Sequence, residues 1–459
     1  MVPMDQRIED RAAGAVLASA CGDALGAGYE FGPPLQQLVP VRMRGGGSLG
    51  WAPGEWTDDT SMAVPILRVV ARGVPLDGAA LDEVAAAWID WSKEAPDVGN
   101  QTRVVCDAAH DRTADALAES ARAFAAAHPN SAGNGSLMRT TPVALAHLDD
   151  LPNLVAAARR VSALTHADPL AGDACVLWSL AIRSAIMTGD PAIRSGLGAL
   201  PRDRREYWSS LIDEAEERRP ADFTKNGWAG AALQGAWSAV THGTGVQDVL
   251  ERAVRGGNDT DTVAAIAGGV IGAMEGASGV PDAWRRMVHG WPGLTADDLV
   301  EMAVAAVRAR HTATTASPEH VLLDAVRVLH GRGYEALIVL PAFSATGHWR
   351  CLLLGASGAE YLAYTDARQW DLLDDGRVDP IGAEELADRL LAVRPDLEQE
   401  RRPAAAYRFW YAALLEHAGD RLPYTSDDYQ SPVDEGRVGL TGTAGPGLLG
   451  GSFPLPPAV

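Results

Sequence analysis

From residue 8 to about Arg310, apolar side chains recur at helical spacing, as in Leu81, Val84, Ala85, Trp88 and Ile89, and runs of β-branched residues are few. A chain patterned in this way has to bury its apolar stripes helix against helix, so this region reads as all-α. Gly- and Pro-rich interruptions, notably Gly45-Gly46-Gly47, Pro53-Gly54 and Gly133-Asn134-Gly135, separate the helical stretches and are expected as loops.

The pattern changes after about Arg310. His311 to Ser317 reads as a small, polar linker, followed by an amphipathic helix over Pro318 to His330 and strand-like runs Ala336 to Leu340, Trp349 to Leu354 and Tyr361 to Tyr364. The organisation expected is an all-α domain over 1–311, a smaller mixed α/β domain over 318–424, and a Gly/Pro-rich tail over 425–459. The tail has no apolar periodicity and reads as disordered.

Of the 459 residues, 39 are Lys or Arg and 60 are Asp or Glu, a net charge of −21. Such a field repels phosphate backbones, so no dedicated nucleic-acid surface is expected, although a local metal pair can reverse the sign inside one site. Cys21, Cys106, Cys175 and Cys351 never fall in a C-x-x-C spacing, which speaks against a zinc site or a disulfide scaffold and for reduced, mostly buried thiols. The N-terminus carries Asp5, Glu9 and Asp10, and its apolar stretch Ala12 to Ala20 soon meets Asp23, so no secretory signal is evident. No run is read as long enough to span a bilayer. The expectation is a cytoplasmic protein with no membrane partner.

Chemistry concentrates in two acidic clusters. Thr57-Asp58-Asp59 follows the turn Pro53-Gly54-Glu55 and precedes the apolar run Met62 to Leu67. Adjacent acids at a helix N-terminus also serve as dipole-complementing caps, so one such cluster does not discriminate. The second, Asp259-Thr260-Asp261-Thr262, again stands just before a small-residue helical stretch, Val263 to Met274, with Gly256-Gly257-Asn258 ahead of it. Together Asp58, Asp59, Asp259, Asp261 and the hydroxyls of Thr57 and Thr262 form a set of hard oxygen donors of the kind magnesium or manganese takes. If the two loops meet, their acids repel unless cations lie between them. No H-E-x-x-H pattern or His/Cys cluster suggests zinc.

Four motifs in order, Gly22-Asp23-Ala24-Leu25-Gly26 with Glu30-Phe31, Gly54 to Met62, Gly133 to Arg139 with Pro142, and Gly257 to Thr262, resemble those of the ADP-ribosylglycohydrolase family, including the dinitrogenase reductase-activating glycohydrolases. The resemblance covers roughly the first two thirds of the chain. It implies an all-α orthogonal helical bundle with two divalent metals, magnesium or alternatively manganese, at the base of an ADP-ribose cleft. Thr57, Asp58 and Asp59 would ligate from one side and Asp259, Asp261 and Thr262 from the other. The implied substrate is ADP-ribose joined to an acceptor, first of all the arginine side chain of a mono-ADP-ribosylated protein. A serine-, nucleobase- or small-molecule-linked conjugate, or a binding-only member, is the competing outcome.

By the same resemblance Asp97, in Pro96-Asp97-Val98-Gly99-Asn100, matches the catalytic-loop aspartate of the arginine-linked branch, and Glu30 the acidic residue that the serine-linked branch uses near its metals. As plain chemistry, Asp97 also suits a turn acid after a proline and Glu30 a solvated acid near Gly32-Pro33. A protonatable carboxylate near a leaving group helps any glycosidic cleavage. Gly133 and Gly135 would let backbone amides approach a pyrophosphate, with Asn134 and Ser136 adding hydrogen bonds. Arg139 would meet phosphate or form a buried ion pair. His166 matches the family's histidine beside the ribose, and Trp228 stands where relatives carry an aromatic against the adenine.

In the C-terminal part, Gly347-His348-Trp349 and Asp366 faintly resemble the His/Asp half of a papain-like cysteine peptidase. The nucleophile is missing, since Cys351 lies only three residues after His348. The part is read as a recognition module that binds a protein partner.

Overall fold

The computed structural model describes residues 4–315 and the strand residues 336–339, 349–354, 360–366 and 369–371, and contacts divide the chain into Met1–Arg310 and His311–Val459. At the centre of the first unit, α1 (Met4–Gly26) runs antiparallel to α12 (Thr260–Glu275). Their seam is glycine and alanine on both sides. A Cβ added to Gly272 would stand 2.0 Å from the Gly14 carbonyl oxygen, one on Gly268 2.3 Å from that of Ala18, and one on Gly22 2.2 Å from that of Ala264. The two backbones thus touch directly, which only side chains of this size permit. At the end of the seam Gly26 meets Asp261, so the C-terminus of α1 lies against the N-terminus of α12.

The other helices wrap this pair. They are α2 (Asp58–Ala71), α3 (Gly78–Trp91), α4 (Asn100–Ala108), α5 (Ala114–Ala127), α6 (Thr141–Ala146), α7 (Leu151–Ala163), α8 (Pro169–Thr188), α9 (Arg202–Glu217), α10 (Ala229–His242), α11 (Gly245–Arg255), α13 (Asp282–Met287) and α14 (Ala296–Thr315). The stripe Leu81, Val84, Ala85, Trp88, Ile89 is indeed the buried face of α3. Indole N–H groups tie layers together where helices cross, Trp88 to the Met62 carbonyl at 2.9 Å and Trp178 to that of Ile266 at 2.9 Å. The helical fold expected of this region is the one observed, interrupted by a two-residue antiparallel pair, β1 (His289–Gly290) with β2 (Leu294–Thr295).

Two expectations need correcting. By length and composition α8 could cross a membrane, yet 72% of its apolar window is buried inside the protein, so it is a core helix. The stretch from His311 is no linker at its start, because α14 continues through it to Thr315; its Ala- and Thr-rich sequence carries no breaker. In the second unit, β3 (Ala336–Val339), β4 (Trp349–Leu354), β5 (Glu360–Asp366) and β6 (Gln369–Asp371) form an antiparallel sheet in sequential order, with Ala336 opposite Leu353 and Trp349 opposite Thr365. β5 is longer than its apolar run, and β6 lacked enough alternation to be anticipated. The expected helix 318–330, His348 and the 425–459 tail lie outside the described residues.

Candidate metal centre

The seam delivers acidic residues from three helix ends to one place. Asp23, buried near the end of α1, reaches across to the start of α2. Its Oδ1 accepts the Thr57 N–H at 2.8 Å, and its Oδ2 accepts the Thr60 N–H at 2.9 Å and the Thr60 hydroxyl at 2.6 Å. The α2 N-terminus is therefore capped by a residue of another helix, and the Thr57 side chain makes no cap bond. The side chain of Asp259, the N-cap residue of α12, likewise makes no cap bond. Dipole capping therefore does not engage the side chains of Thr57 and Asp259, and capping of α2 falls to Asp23.

What those acids do instead is converge. Carboxylate oxygens of Asp23, Asp59 and Asp261 lie within 4.8 Å of one another, and so do those of Glu30, Asp259 and Asp261. The two triads share Asp261. None of these residues, nor Asp58 or Asp97, forms an ion pair among the described residues. Burial, reinforced by the neighbouring acids, raises the carboxyls of Asp58, Asp59 and Asp261 well above the usual range. Burial lifts Asp23 to about 6, against hydrogen bonds from Thr60 and Thr57. Burial and the charges of Asp259, Asp97, Asp58 and Asp23 lift Glu30 to about 9. Asp259 is raised by burial, against the hydrogen bond from Asn134.

The residues fit a divalent cation. Asp59 Oδ2 accepts the Thr57 hydroxyl at 3.0 Å, but Asp59 Oδ1 is buried without any hydrogen-bond partner. A buried carboxylate oxygen left open among like charges is costly unless a cation completes it. Asp23, by contrast, already accepts three hydrogen bonds from the start of α2, two of them on Oδ2, so it positions that terminus while one lone pair of Oδ1 still faces the triad. Of the anticipated ligand set, Asp59, Asp259 and Asp261 come together and Thr57 and Thr262 border them. Asp58 stands outside both triads, half-buried, with Oδ2 3.4 Å from the Gly99 N–H. That contact draws in the loop bearing Asp97, which is half-buried and raised by burial and by Asp259. Glu30 sits inside a triad; Asp97 does not.

The glycine loop, expected to let backbone amides approach a pyrophosphate, packs closely against an imidazole. The Gly133 N–H already donates to the Ser131 carbonyl at 2.9 Å. A Cβ on Gly133 would lie 3.2 Å from His166 Nε2, and one on Gly135 2.9 Å from His166 Cε1, so these glycines make room for the imidazole. Asn134 turns its amide to Asp259 Oδ2, and Ser136 is buried against the hydroxyl of Ser162 and the thiol of Cys175. Arg139 pairs with no carboxylate among the described residues: it is fully buried, stacked on Trp88 and bonded to Thr165. His166 is buried, and Trp228, half-buried, is bridged to Gly133. Asn226 escaped the sequence reading. Its Oδ1 accepts the Asp259 N–H at 3.2 Å and its amide donates to Gly257; only its place just ahead of Gly227-Trp228 hinted at a role.

A family model described as ADP-ribosylglycohydrolase matches residues 4–327. The ADP-ribosyl-(dinitrogen reductase) glycohydrolase of Rhodospirillum rubrum is 32% identical over 290 residues, covering 60% of this chain and 90% of that one. The ADP-ribosylarginine hydrolases Tri1 of Pseudomonas putida and Serratia proteamaculans are 30% and 27% identical, covering 61% and 62% of this chain and 74% and 76% of theirs. Among solved structures, a chain of an ADP-ribosylglycohydrolase-related protein complex superposes with TM-score 0.53 at 28% identity, over 66% of this chain and 99% of that one.

Proposed function

Because the chain belongs to the ADP-ribosylglycohydrolase family, we propose that it is a metal-dependent hydrolase cleaving the bond between ADP-ribose and an arginine side chain of a mono-ADP-ribosylated protein. Metal dependence rests on the two carboxylate triads joined at Asp261, and on the buried, unpartnered Oδ1 of Asp59 in the first of them. Arginine is favoured as the acceptor by the names of the Tri1 relatives and by Asp97, set in the loop that meets Asp58.

Asp59, Asp259, Asp261 and Glu30 would hold the cations, with Thr57, Asp58 and Thr262 at the border; an all-oxygen set suits two magnesium ions, or manganese. When bound, such ions orient the ribose hydroxyls and lower the pKa of a water. The chain's own residues do the rest. Asp23 fixes the α2 terminus, Asn134 aims Asp259, His166 and Trp228 border the sugar and the adenine, and Asp97 handles the proton. In cleavage the C1′–N bond breaks, a water oxygen bonds to C1′, and the departing guanidine gains a proton. A carboxyl raised by burial, outside both triads, is suited to that transfer. The C-terminal unit is read as a recognition module for the modified protein, so substituting His348 and Asp366 should leave cleavage unchanged.

The deciding assay offers arginine-, serine- and nucleobase-linked ADP-ribose to the full-length protein, with magnesium or with EDTA, and measures free ADP-ribose. Release from the arginine conjugate alone, abolished by EDTA and by Asp59→Asn, is the expected result. Asp97→Asn should lower kcat about 10²- to 10⁴-fold while ADP-ribose still binds. Tight binding without release from any conjugate would leave a binding protein.

A further inference from the structure

His166 stands beside the sugar in the reading above, but the buried pair behind it, Arg139 and Thr165, is left without a purpose. Arg139 is fully buried, its guanidinium carbon lies 3.9 Å from the Trp88 ring centre, and it has no carboxylate partner among the described residues. A cation in that position is expensive, so what it touches matters. Its Nη2 donates to the Thr165 hydroxyl oxygen at 2.6 Å and, at 3.4 Å, to the Val161 carbonyl.

A guanidinium can only donate, so Thr165 Oγ1 must accept from it. The hydroxyl proton then needs an acceptor of its own. Among the described residues the one other polar atom bonded to Thr165 Oγ1 is His166 Nδ1, at 2.8 Å. Nδ1 therefore accepts, and a neutral imidazole that accepts at Nδ1 carries its proton on Nε2. Burial and the positive charge of Arg139 keep the ring neutral, pushing it down to about 3. Nε2 has no hydrogen-bond partner among the described residues. It points at the small loop Gly133–Gly135, whose middle residue holds Asp259.

We propose that Arg139 and Thr165 are positioning residues that lock His166 as the Nε2–H tautomer, so that it offers the bound ADP-ribose a hydrogen-bond donor for a ribose or phosphate oxygen and never an acceptor. The identity of the ligand rests on the glycohydrolase reading; the tautomer does not. The relay also explains why an uncompensated arginine is kept in the core: a serine, threonine or water alone in place of Arg139 could give its own proton to Thr165 or take one, leaving the hydroxyl free to turn. Gly133 and Gly135 complete the device, since any side chain there would press on the imidazole edge that carries the donor.

The test reads the tautomer directly, by nitrogen-15 correlation spectra of the imidazole side chains in the full-length protein, with His166 assigned through the signals missing from His166→Asn. The expected pattern is a protonated Nε2 and an unprotonated, accepting Nδ1 in the wild type. Thr165→Val keeps the shape and deletes the hydroxyl; it should give mixed tautomers and about tenfold weaker ADP-ribose binding by calorimetry. Thr165→Ser should restore the tautomer and bring affinity to within about twofold. A protonated Nδ1 in the wild type, which needs no variant to fold, overturns the proposal, and so does Thr165→Val with tautomer and affinity unchanged. A wild type that shows the expected tautomer yet binds no ADP-ribose sinks the glycohydrolase reading and the ligand assigned to this donor.

Discussion

The side-chain amide of Asn134 donates to Asp259 Oδ2 at 2.7 Å across a separation of 125 residues, and to the Asn226 carbonyl at 2.8 Å. Asn226 returns the contact by accepting the Asp259 N–H, so a buried pair of amides clamps the first residue of the α12 cluster. Partners of this kind aim a ligand without touching the ion, and their removal typically costs 10- to 100-fold in affinity. Asn134→Ala is accordingly expected to weaken magnesium binding by roughly that factor, read by calorimetric titration, while costing only about 1–2 kcal/mol of folding stability. Unchanged magnesium affinity would mean that Asp259 needs no such aim.

The raised acids give the metal-free protein a definite pH dependence. Asp23 and Glu30 move from 3.8 to about 6 and from 4.5 to about 9 on folding, so over that window the folded state holds more protons than the unfolded one. Their contribution is fully present below the unfolded values and is lost as pH rises through the folded ones. In EDTA the Tm should fall between about pH 5 and pH 9, and magnesium should raise it by an amount that grows with pH. Asp59→Asn removes one of the repelling charges, so in EDTA at alkaline pH it should melt above the wild type while releasing no ADP-ribose. A metal-free Tm flat across this range would refute the account.

The helices and the acidic loops were legible because each rests on local signals, the 3.6-residue period of α3 and the placing of acids before apolar runs at α2 and α12. Their convergence was not legible in the spacing and came only from the family resemblance. It depends on the α1/α12 seam, where Gly14 meets Gly272 and Gly26 meets Asp261, and small residues spread over two distant segments advertise no pairing. The same holds for Asp23, whose motif was visible but whose task, capping a different helix, is a tertiary contact. The packing of the glycine loop was hidden for a related reason. A Gly-x-Gly spacing suggests an approaching ligand, but the neighbour here is His166, brought in from beyond α7. In the second unit, β4 stood out as a continuous run, whereas β6 is too short to carry an alternation.

If the glycines exist for the imidazole, their substitution should be graded by distance. An alanine methyl at Gly135 would lie 2.9 Å from His166 Cε1, closer than real Cβ contacts allow, and the ring is buried and cannot swing freely. At Gly133 the nearest ring atom is 3.2 Å away, which a small adjustment relieves. Gly135→Ala should therefore weaken ADP-ribose binding more than Gly133→Ala, with overpacking of about 1–3 kcal/mol visible in urea unfolding for the former. Equal effects would point back to the backbone amides, since both positions would then matter through the main chain.

The seam itself predicts a failure of a different kind. At Gly272 an added methyl would stand 2.0 Å from the Gly14 carbonyl oxygen, and no rotamer change relieves a clash with backbone. The helices would have to separate along their length, and because Gly26 and Asp261 close the same seam, Asp23 and Asp261 would part with them. Gly272→Ala should thus cost at least about 3 kcal/mol, the upper end for overpacking, and should lose metal affinity and stability together. Asn134→Ala loses the first with little of the second, so the pair separates assembly of the site from aim within it. Gly198→Ala supplies the control: nothing lies within 4 Å of its added Cβ, and it should stay within about 0.5 kcal/mol of the wild type. A Gly272→Ala protein that melts like that control would show that α1 and α12 do not meet backbone to backbone, and the convergence of the acids would need another cause.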